Sequence, residues 1–594
     1  MQRQQLLQAV LRLPWWIAVL IGVASICVGI GLAARPFSSL AVLLGLVVLG
    51  LILNGLRILS SAETAPRDWL AWLSGISWIV VGLVAAIWPG LTIQTLVTIT
   101  GIVLIIGGFG KLIFSVSGRA DDRLLTGLNG FTNICFGWLA LTVPAASVLV
   151  LAVLFGISLM VFGIMQVVAG LRGRRAASAA VTTQQAGAAS HAWPYWLLLT
   201  GAIAALALAL GGITLSLTVR RAQPPPSGPF YAAPLPLPDG PPGTIIRSEL
   251  MDGFFENATA YRVLYKSTGF NGKPAAVSGI IIFPTTPAPP EGRKVVAWTH
   301  GTTGVAPNCG PSLIEGAAYS AAIPGLSEFM AAGYVVAATD YQGLGTAGPH
   351  PYIVGTSEGM NALDSVRAAH LLPEAAASTD FAVWGESQGG HASLFTGQLA
   401  ASYAAELKLH GVVASAPAAD LLDLFKTKME APNPVGNLLI SMAIASWARV
   451  HEDASLDQIV FPAAQSLVTA IADNCIQNPE QIQASIPAAM LLNMVFISNP
   501  PWDTEPWKAL LAENTPGNVR TSAPILIQQG TSDQVISPVV QEQFAAKLCA
   551  AGDNVEYRTY PGIGHLTIAH DTKEEVVAWI ADRFGGNPAT TTCR

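Results

Sequence analysis

Charge is what this chain has least of. Asp, Glu, Lys and Arg make up only 11% of its 594 residues, against about 25% in an ordinary soluble domain. The shortage is uneven: charged residues are scarce before residue 220 and closer to normal after 245. That split describes a membrane part followed by a soluble part. A strong charge of one sign is also missing. The net charge of −6 is mild, and no Lys/Arg-rich stripe with interleaved aromatics occurs, which excludes a nucleic-acid site. No His-rich cluster has metal-ligand spacing, so no metal and no other cofactor is expected. Cysteine is sparse as well. Cys27 and Cys135 lie in apolar runs and read as small buried residues, which leaves Cys309, Cys475, Cys549 and Cys593 in the second half.

Long apolar runs, by contrast, are abundant. Stretches at roughly 15–34, 38–59, 69–88, 91–115, 124–143, 146–170 and 195–219 each approach the ~20 residues that a membrane-crossing helix needs. For the first stretch a cleaved signal peptide is the rival reading, since Ala33-Ala34 offers small residues. A repeat that includes this stretch argues against it. Gly22, Gly29, Pro36 and Gly55 recur as Gly75, Gly82, Pro89 and Gly108, and again as Gly130, Gly137, Pro144 and Gly163. Each unit reads as a helical hairpin with its proline in the turn, because proline ends one helix and suits the first turn of the next. Glycines seven apart share a helix face and let neighbouring helices approach closely. A transport path would want buried charges, which these spans almost lack, so the expectation is a packing scaffold.

This pattern, over residues 15–172, resembles the HdeD-like family of small membrane proteins linked to acid resistance. The resemblance implies an all-α polytopic membrane domain over 1–175 and carries no catalytic residue with it. Arg3 and Arg12, then Arg57 and Arg67, then Lys111, Arg119 and Arg123, then Arg172, Arg174 and Arg175 occupy alternate loops. The positive-inside rule therefore puts the N-terminus in the cytoplasm. Seven crossings put everything after residue 219 outside; Arg220 and Arg221 run against this and are outnumbered. An Ala/Ser/Thr/Gln linker at 176–192 precedes the seventh helix at 193–219, and a proline-rich spacer at 220–229 follows it.

From residue 244 strand-like runs alternate with helical stretches, which predicts a mostly parallel sheet. The runs fall at 277–282, 295–298, 334–338, 381–384, 411–414, 524–527 and 555–558. Directly after 381–384 stands Gly385-Glu386-Ser387-Gln388-Gly389-Gly390, followed by a helical stretch from His391. This is G-x-S-x-G between a strand and a helix, a turn sharp enough to push the serine oxygen into the open. A serine hydroxyl is a weak nucleophile and needs a base. On such a fold the acid and then the histidine follow the serine in chain order. Asp533 and His565 each lie just past a predicted strand and fit that order. His570, in a predicted helix, reads as a surface or core residue, and His391 as a packing residue or one that supports the site from behind. Asp340 ends a strand but precedes the serine. The oxyanion donors expected are the Gln388 amide and a group in His300-Gly301-Thr302-Thr303-Gly304, where His300 shapes the loop.

Residues 230–594 are similar to the secretory lipase family, the type of the fungal lipase A enzymes. The matching stretches are Pro242–Glu249, Asn308–Ser312, Asp340–Gly343, Glu358–Met360, Gly385–His391 and Tyr560–Thr567. The resemblance implies an α/β-hydrolase whose triad falls on Ser387, Asp533 and His565. Its loop donor falls on Thr303, where the lipase A type has an aspartate, and the choice between Thr302 and Thr303 stays open. It also implies disulfides Cys309–Cys475 and Cys549–Cys593. The interval 418–522 is far longer than the usual ~2–6-residue connection and reads as a helical cap. The apolar stretches 438–445 and 487–497 within it suit acyl chains. The expectation is a membrane-embedded, extracytoplasmic lipase or carboxylesterase acting on a lipid or small ester substrate. An acyltransferase and a non-catalytic membrane sensor or scaffold are the alternatives.

Overall fold

The computed structural model describes residues 89–117, 122–142 and 195–593, apart from 253–256, 315, 317–319 and 494–495, together with a few isolated helical positions within 16–27, 76–83 and 160–168. The chain divides into two compact units, Met1–Thr218 and Val219–Arg594.

In the first unit, helix α1 (Pro89–Val116) and helix α2 (Arg123–Thr142) form an antiparallel pair joined by a short connection, and α3 (Tyr195–Ala222) follows. Helix α1 starts on the repeat proline, where a missing N–H costs nothing. Asp122 opens α2 by accepting from the Leu125 amide at 3.0 Å. Glycine makes the contact between the two helices possible. A Cβ at Gly108 would lie 2.6 Å from the Gly130 carbonyl oxygen, and one at Gly137 would lie 2.6 Å from that of Gly101. The repeat glycines Gly108 and Gly130 thus meet each other across the pair. Cys135 is buried, but Cys27, expected to be buried, is exposed. Its helix is apolar all round, so an apolar run there does not imply cover from other protein groups. Exposed apolar side chains are common on α1, including Ile106, Ile113 and Phe114. Among the described residues one helix, Arg123–Leu141, is long and apolar enough to cross a membrane, with Gly101–Val116 and Leu199–Gly211 as shorter apolar stretches. The remaining spans of the seven-helix reading lie outside the described residues.

The second unit is built on a nine-stranded sheet in the order β1-β2-β3-β5-β4-β6-β7-β8-β9. Its strands are β1 (Ile245–Met251), β2 (Ala258–Thr268), β3 (Pro274–Pro284), β4 (Arg293–Thr299), β5 (Val335–Thr339), β6 (Ala377–Glu386), β7 (Lys408–Ser415), β8 (Ile525–Gly530) and β9 (Val555–Tyr560). From β5 and β4 through β9 every pairing is parallel, whereas β1, β2 and β3 pair antiparallel at one edge. The central strands are buried on both faces, as parallel strands under helices must be. In β6, Phe381 and Val383 enter one core while Ala382 and Trp384 enter the other. A large side chain such as Phe381 or Val383 contributes roughly 1.5–3 kcal/mol on burial. Strands β1 and β2 escape the sequence pattern for a physical reason. β1 is the edge strand and largely exposed, β2 beside it is only partly buried, and neither carries the continuous apolar run of a central strand.

Helices α4 (Gly355–Leu371) and α5 (Gln388–Tyr403) pack on the sheet. Between β7 and β8 come α6 (Leu421–Glu430), α7 (Pro434–Val450), α8 (Pro462–Ala472), α9 (Pro479–Leu492) and α10 (Trp507–Glu513). This is the helical insertion read as a cap. Asn433 and Asn478 cap α7 and α9 with side-chain bonds to Gly436 N and Gln481 N. Helix α7 packs against α8 and α9, so the apolar stretch at 438–445 is the centre of the insertion. Helix α11 (Pro538–Ala550) and α12 (Lys573–Phe584) complete the fold.

Candidate active site

The site is assembled where β6 turns into α5. Ser387 has φ 58° and ψ −117°, a backbone conformation strained for a residue with a side chain. Two glycines allow the turn. A Cβ on Gly385 would fall 2.1 Å from the Gly389 carbonyl oxygen, and one on Gly389 would fall 1.8 Å from that of Thr299. The turn is pinned by the Ser387 amide donating to Ser415 O at 2.9 Å. Helix α5 begins at Gln388 itself, earlier than the sequence pattern suggests.

The structure brings the three expected residues together. His565 Nε2 lies 2.9 Å from Ser387 Oγ, and its Nδ1 lies 2.8 Å from Asp533 Oδ2. A neutral ring carrying its proton on Nδ1 satisfies both contacts, donating to the carboxylate and accepting from the hydroxyl. Asp533 is held in turn. Its Oδ1 accepts from the Val535 and Ile536 amides, each at 2.8 Å, and Oδ2 from Gln529 Nε2 at 3.1 Å. The loops carrying the acid and the histidine are stitched to each other by Ser532 N donating to Ile563 O and Gly562 N donating to Thr531 Oγ1, both at 3.0 Å.

Burial and charge oppose each other here. Burial raises the pKa of Asp533, but the His565 hydrogen bond and charge and the two loop amides outweigh it and hold the carboxyl below its ordinary value. Burial alone would lower the pKa of His565. The hydrogen bond and charge of Asp533, with Glu386 adding to them, raise it above the ordinary imidazole value. Glu386, the residue before the nucleophile, places Oε1 3.9 Å from His565 Nε2. Its carboxyl is pushed upward, by burial first.

The loop 300–304, where an oxyanion donor is expected, is tied to the helical insertion. Gly304 pairs with Cys475 in an isolated bridge, Ile476 N donates to Thr303 O at 2.8 Å, and Cys309 and Cys475 form a disulfide. Cys549 and Cys593 form the second disulfide. The Thr302 hydroxyl is committed to Tyr352 Oη at 2.8 Å. The Thr303 hydroxyl is buried and has no hydrogen-bond partner among the described residues. The Gln388 amide opens a helix and so has no intrahelical acceptor.

The rival residues are occupied elsewhere. Asp340 accepts from Ser278 Oγ at 2.6 Å, from Ser312 N at 2.9 Å and from Ser312 Oγ. His300 is buried, packs its ring at a tilt against Tyr341 and shapes its loop through the Gly301 carbonyl; burial lowers its pKa. His570 is exposed. His391 lies between Glu358 Oε2 and Asn514 O, each at 2.8 Å, while Glu358 Oε1 accepts from Gln388 Nε2 at 2.7 Å. This buried network under the elbow is invisible to motif reading, although Glu358 and His391 both stand in the matching stretches.

A pocket opens over Ser387. Its walls include Leu421, Leu424, Phe425, Leu439, Ile440 and Ala443 from the cap and Val535 and Ile536 from the acid loop. The 438–445 stretch therefore reaches the site. Among the described residues none of the 487–497 stretch lines it; its helical part belongs to α9, which packs on α7 and α8.

Comparisons with known proteins follow the same division. Residues 312–592 match the family described as secretory lipase. Residues 73–137 and 128–216 match the short repeat of unknown function called DUF308. A protein named probable inactive lipase from Mycobacterium tuberculosis is 25% identical, over 62% of this chain and 85% of its own length. A lipase A from Moesziomyces aphidis is 24% identical, over 66% of this chain and 87% of its own. The crystal structure of Candida antarctica lipase A in its closed state superposes with a TM-score of 0.53 at 19% identity, covering 62% of this chain and 87% of that one. That last likeness shows the shared α/β-hydrolase fold.

Proposed function

The second unit is a member of the secretory lipase family and the first carries membrane-associated HdeD-like repeats, and from that premise we propose that the chain is a membrane-anchored serine hydrolase of carboxylic esters. One observation carries the reading: the continuous hydrogen-bonded line from Ser387 Oγ through His565 to Asp533.

In the reaction proposed, His565 Nε2 takes the Ser387 proton as Oγ attacks the ester carbonyl. The oxyanion that forms is met by the Gln388 amide and by Thr303, whose hydroxyl is uncommitted where that of Thr302 is not. Collapse expels the alcohol, which leaves with the proton from His565. Water then repeats the sequence on the acyl-enzyme and releases the acid. Asp533 keeps the imidazole in the tautomer required and stabilises the imidazolium. The apolar cap pocket receives the acyl group.

Anchoring is supported by the repeats and by the exposed apolar side chains of α1. An extracytoplasmic hydrolase is supported by two disulfides in the second unit, which persist in oxidising compartments. The name of the mycobacterial relative favours a second reading, a non-catalytic module. The intact Ser387, His565 and Asp533 geometry argues against it.

The test is hydrolysis of a short p-nitrophenyl ester by the full chain in detergent, beside Ser387→Ala and His565→Ala. The expected loss in kcat is about 10⁴-fold or more for each, with no added loss when the two are combined. Wild-type turnover no faster than that of the variants would sink the hydrolase and leave the module.

A further inference from the structure

Among the described residues lining the pocket over Ser387, Lys428 of α6 alone is charged. Its stem crosses α7 at Gly436, where a Cβ would lie 2.9 Å from Lys428 Cδ. Its ammonium donates to one acceptor, Gln534 O at 2.7 Å. Among the described residues no carboxylate comes within 4.0 Å of it. An ammonium has three N–H donors, and beyond Gln534 the other two are open to water or to a ligand, since the bond lies at an exposed position. Partial enclosure lowers the pKa of Lys428, with Asp533 pulling the other way. A cation in an apolar wall is costly unless an acceptor meets it.

The pocket is also small. Its volume is about 70 Å³, room for roughly five to seven water-sized groups at ~10–15 Å³ each. The enclosed space takes an acyl chain of a few carbons. Such a chain, esterified to Ser387, places its far end among the walls that include Lys428.

We propose that this site, if it is the hydrolase active site described above, selects short esters whose acyl part ends in an anionic group, a carboxylate or its equivalent, with Lys428 as the counter-ion. Lys428 is then a specificity-determining residue in the acyl pocket. Glu386, the second carboxylate beside His565 after Asp533, faces Gly301, so the anion belongs on the cap side. The bond to Gln534 suggests a simpler role, a tie between cap and acid loop. A tie acts on all substrates alike, whereas a counter-ion acts on charged ones.

The experiment compares monoethyl glutarate with ethyl pentanoate, equal in acyl carbon count and differing in the terminal carboxylate. Ethanol release by the full chain in detergent gives kcat/KM for each, in the wild type and in Lys428→Met. The proposal expects the wild type to accept the anionic ester at least as well as the neutral one. It also expects the anionic-to-neutral ratio to fall about fivefold or more in the variant. A smaller fall, or a wild type that prefers the neutral ester, overturns it. If Lys428→Met does not fold, the wild-type preference alone decides. Turnover of ethyl pentanoate that depends on Ser387 keeps failure of this proposal separate from failure of the hydrolase reading.

Discussion

Glycine does opposite work in the two units. In the first, Gly108 and Gly130 remove side chains so that two straight helices can touch, and no strained conformation is involved. In the second, Gly385 and Gly389 remove side chains so that a single strained residue, Ser387, can sit on a sharp turn. The helix contact extends over several turns, each adding a little. The elbow concentrates its geometry at one oxygen atom. A spacing of glycines is therefore evidence of packing in one setting and of chemistry in the other, and the neighbouring residues decide which.

Substitutions sharpen that contrast. The largest effect is expected at the elbow. Gly389→Ala forces its Cβ against Thr299 and displaces both Ser387 and the Gln388 amide. The expected loss in kcat/KM on a soluble ester is about 10³-fold or more, since a shift of ~1 Å already costs ~10²-fold. Near-normal activity would mean that the elbow tolerates a side chain and is not strained as described. Next comes Thr303→Val, for which a loss of about 10²-fold in kcat with little change in KM is expected if its hydroxyl meets the oxyanion. An unchanged kcat would assign the donor to a backbone amide instead.

Smaller is the effect of Glu386→Gln, read in the pH profile. His565 must be neutral to accept the serine proton, and its pKa is raised, so kcat/KM falls as pH drops through a value above the ordinary imidazole pKa of ~6.5. Asp533 and Glu386 both raise it, and Lys428 lowers it. Removing the Glu386 charge should move the acid limb to lower pH, while a limb that stays in place would show that Glu386 is not ionised beside the ring. The smallest effect should come from Gly108→Ala. It disturbs the helix pair of the first unit but should leave kcat/KM on a soluble ester within about twofold. A large loss there would show that the units are coupled in function.

Much of the site was legible in the chain because its logic is local. G-x-S-x-G flanked by a strand and a helix, followed in order by Asp533 and His565, is readable wherever strands can be recognised. The disulfide pairings were not readable from spacing and came from the family resemblance alone. Glu386 was in plain view inside the motif, but its proximity to His565 depends on how the turn is made. Lys428 was hidden because its meaning depends on α6 folding over Ser387, some forty residues away in sequence, and no local pattern encodes that. Edge strand β1 and its neighbour β2 were missed because an exposed edge and a partly buried strand beside it need no apolar run. The seven-span count rests on apolar length and loop charge, and most of those spans lie outside the described residues.

The most direct test of the account's central claim is labelling of the full chain with a fluorophosphonate probe, followed by mass mapping of the modified peptide. The account predicts one adduct, on Ser387, that is lost in His565→Ala although the serine remains. A folded wild type that takes no label, or label on another residue, would contradict it.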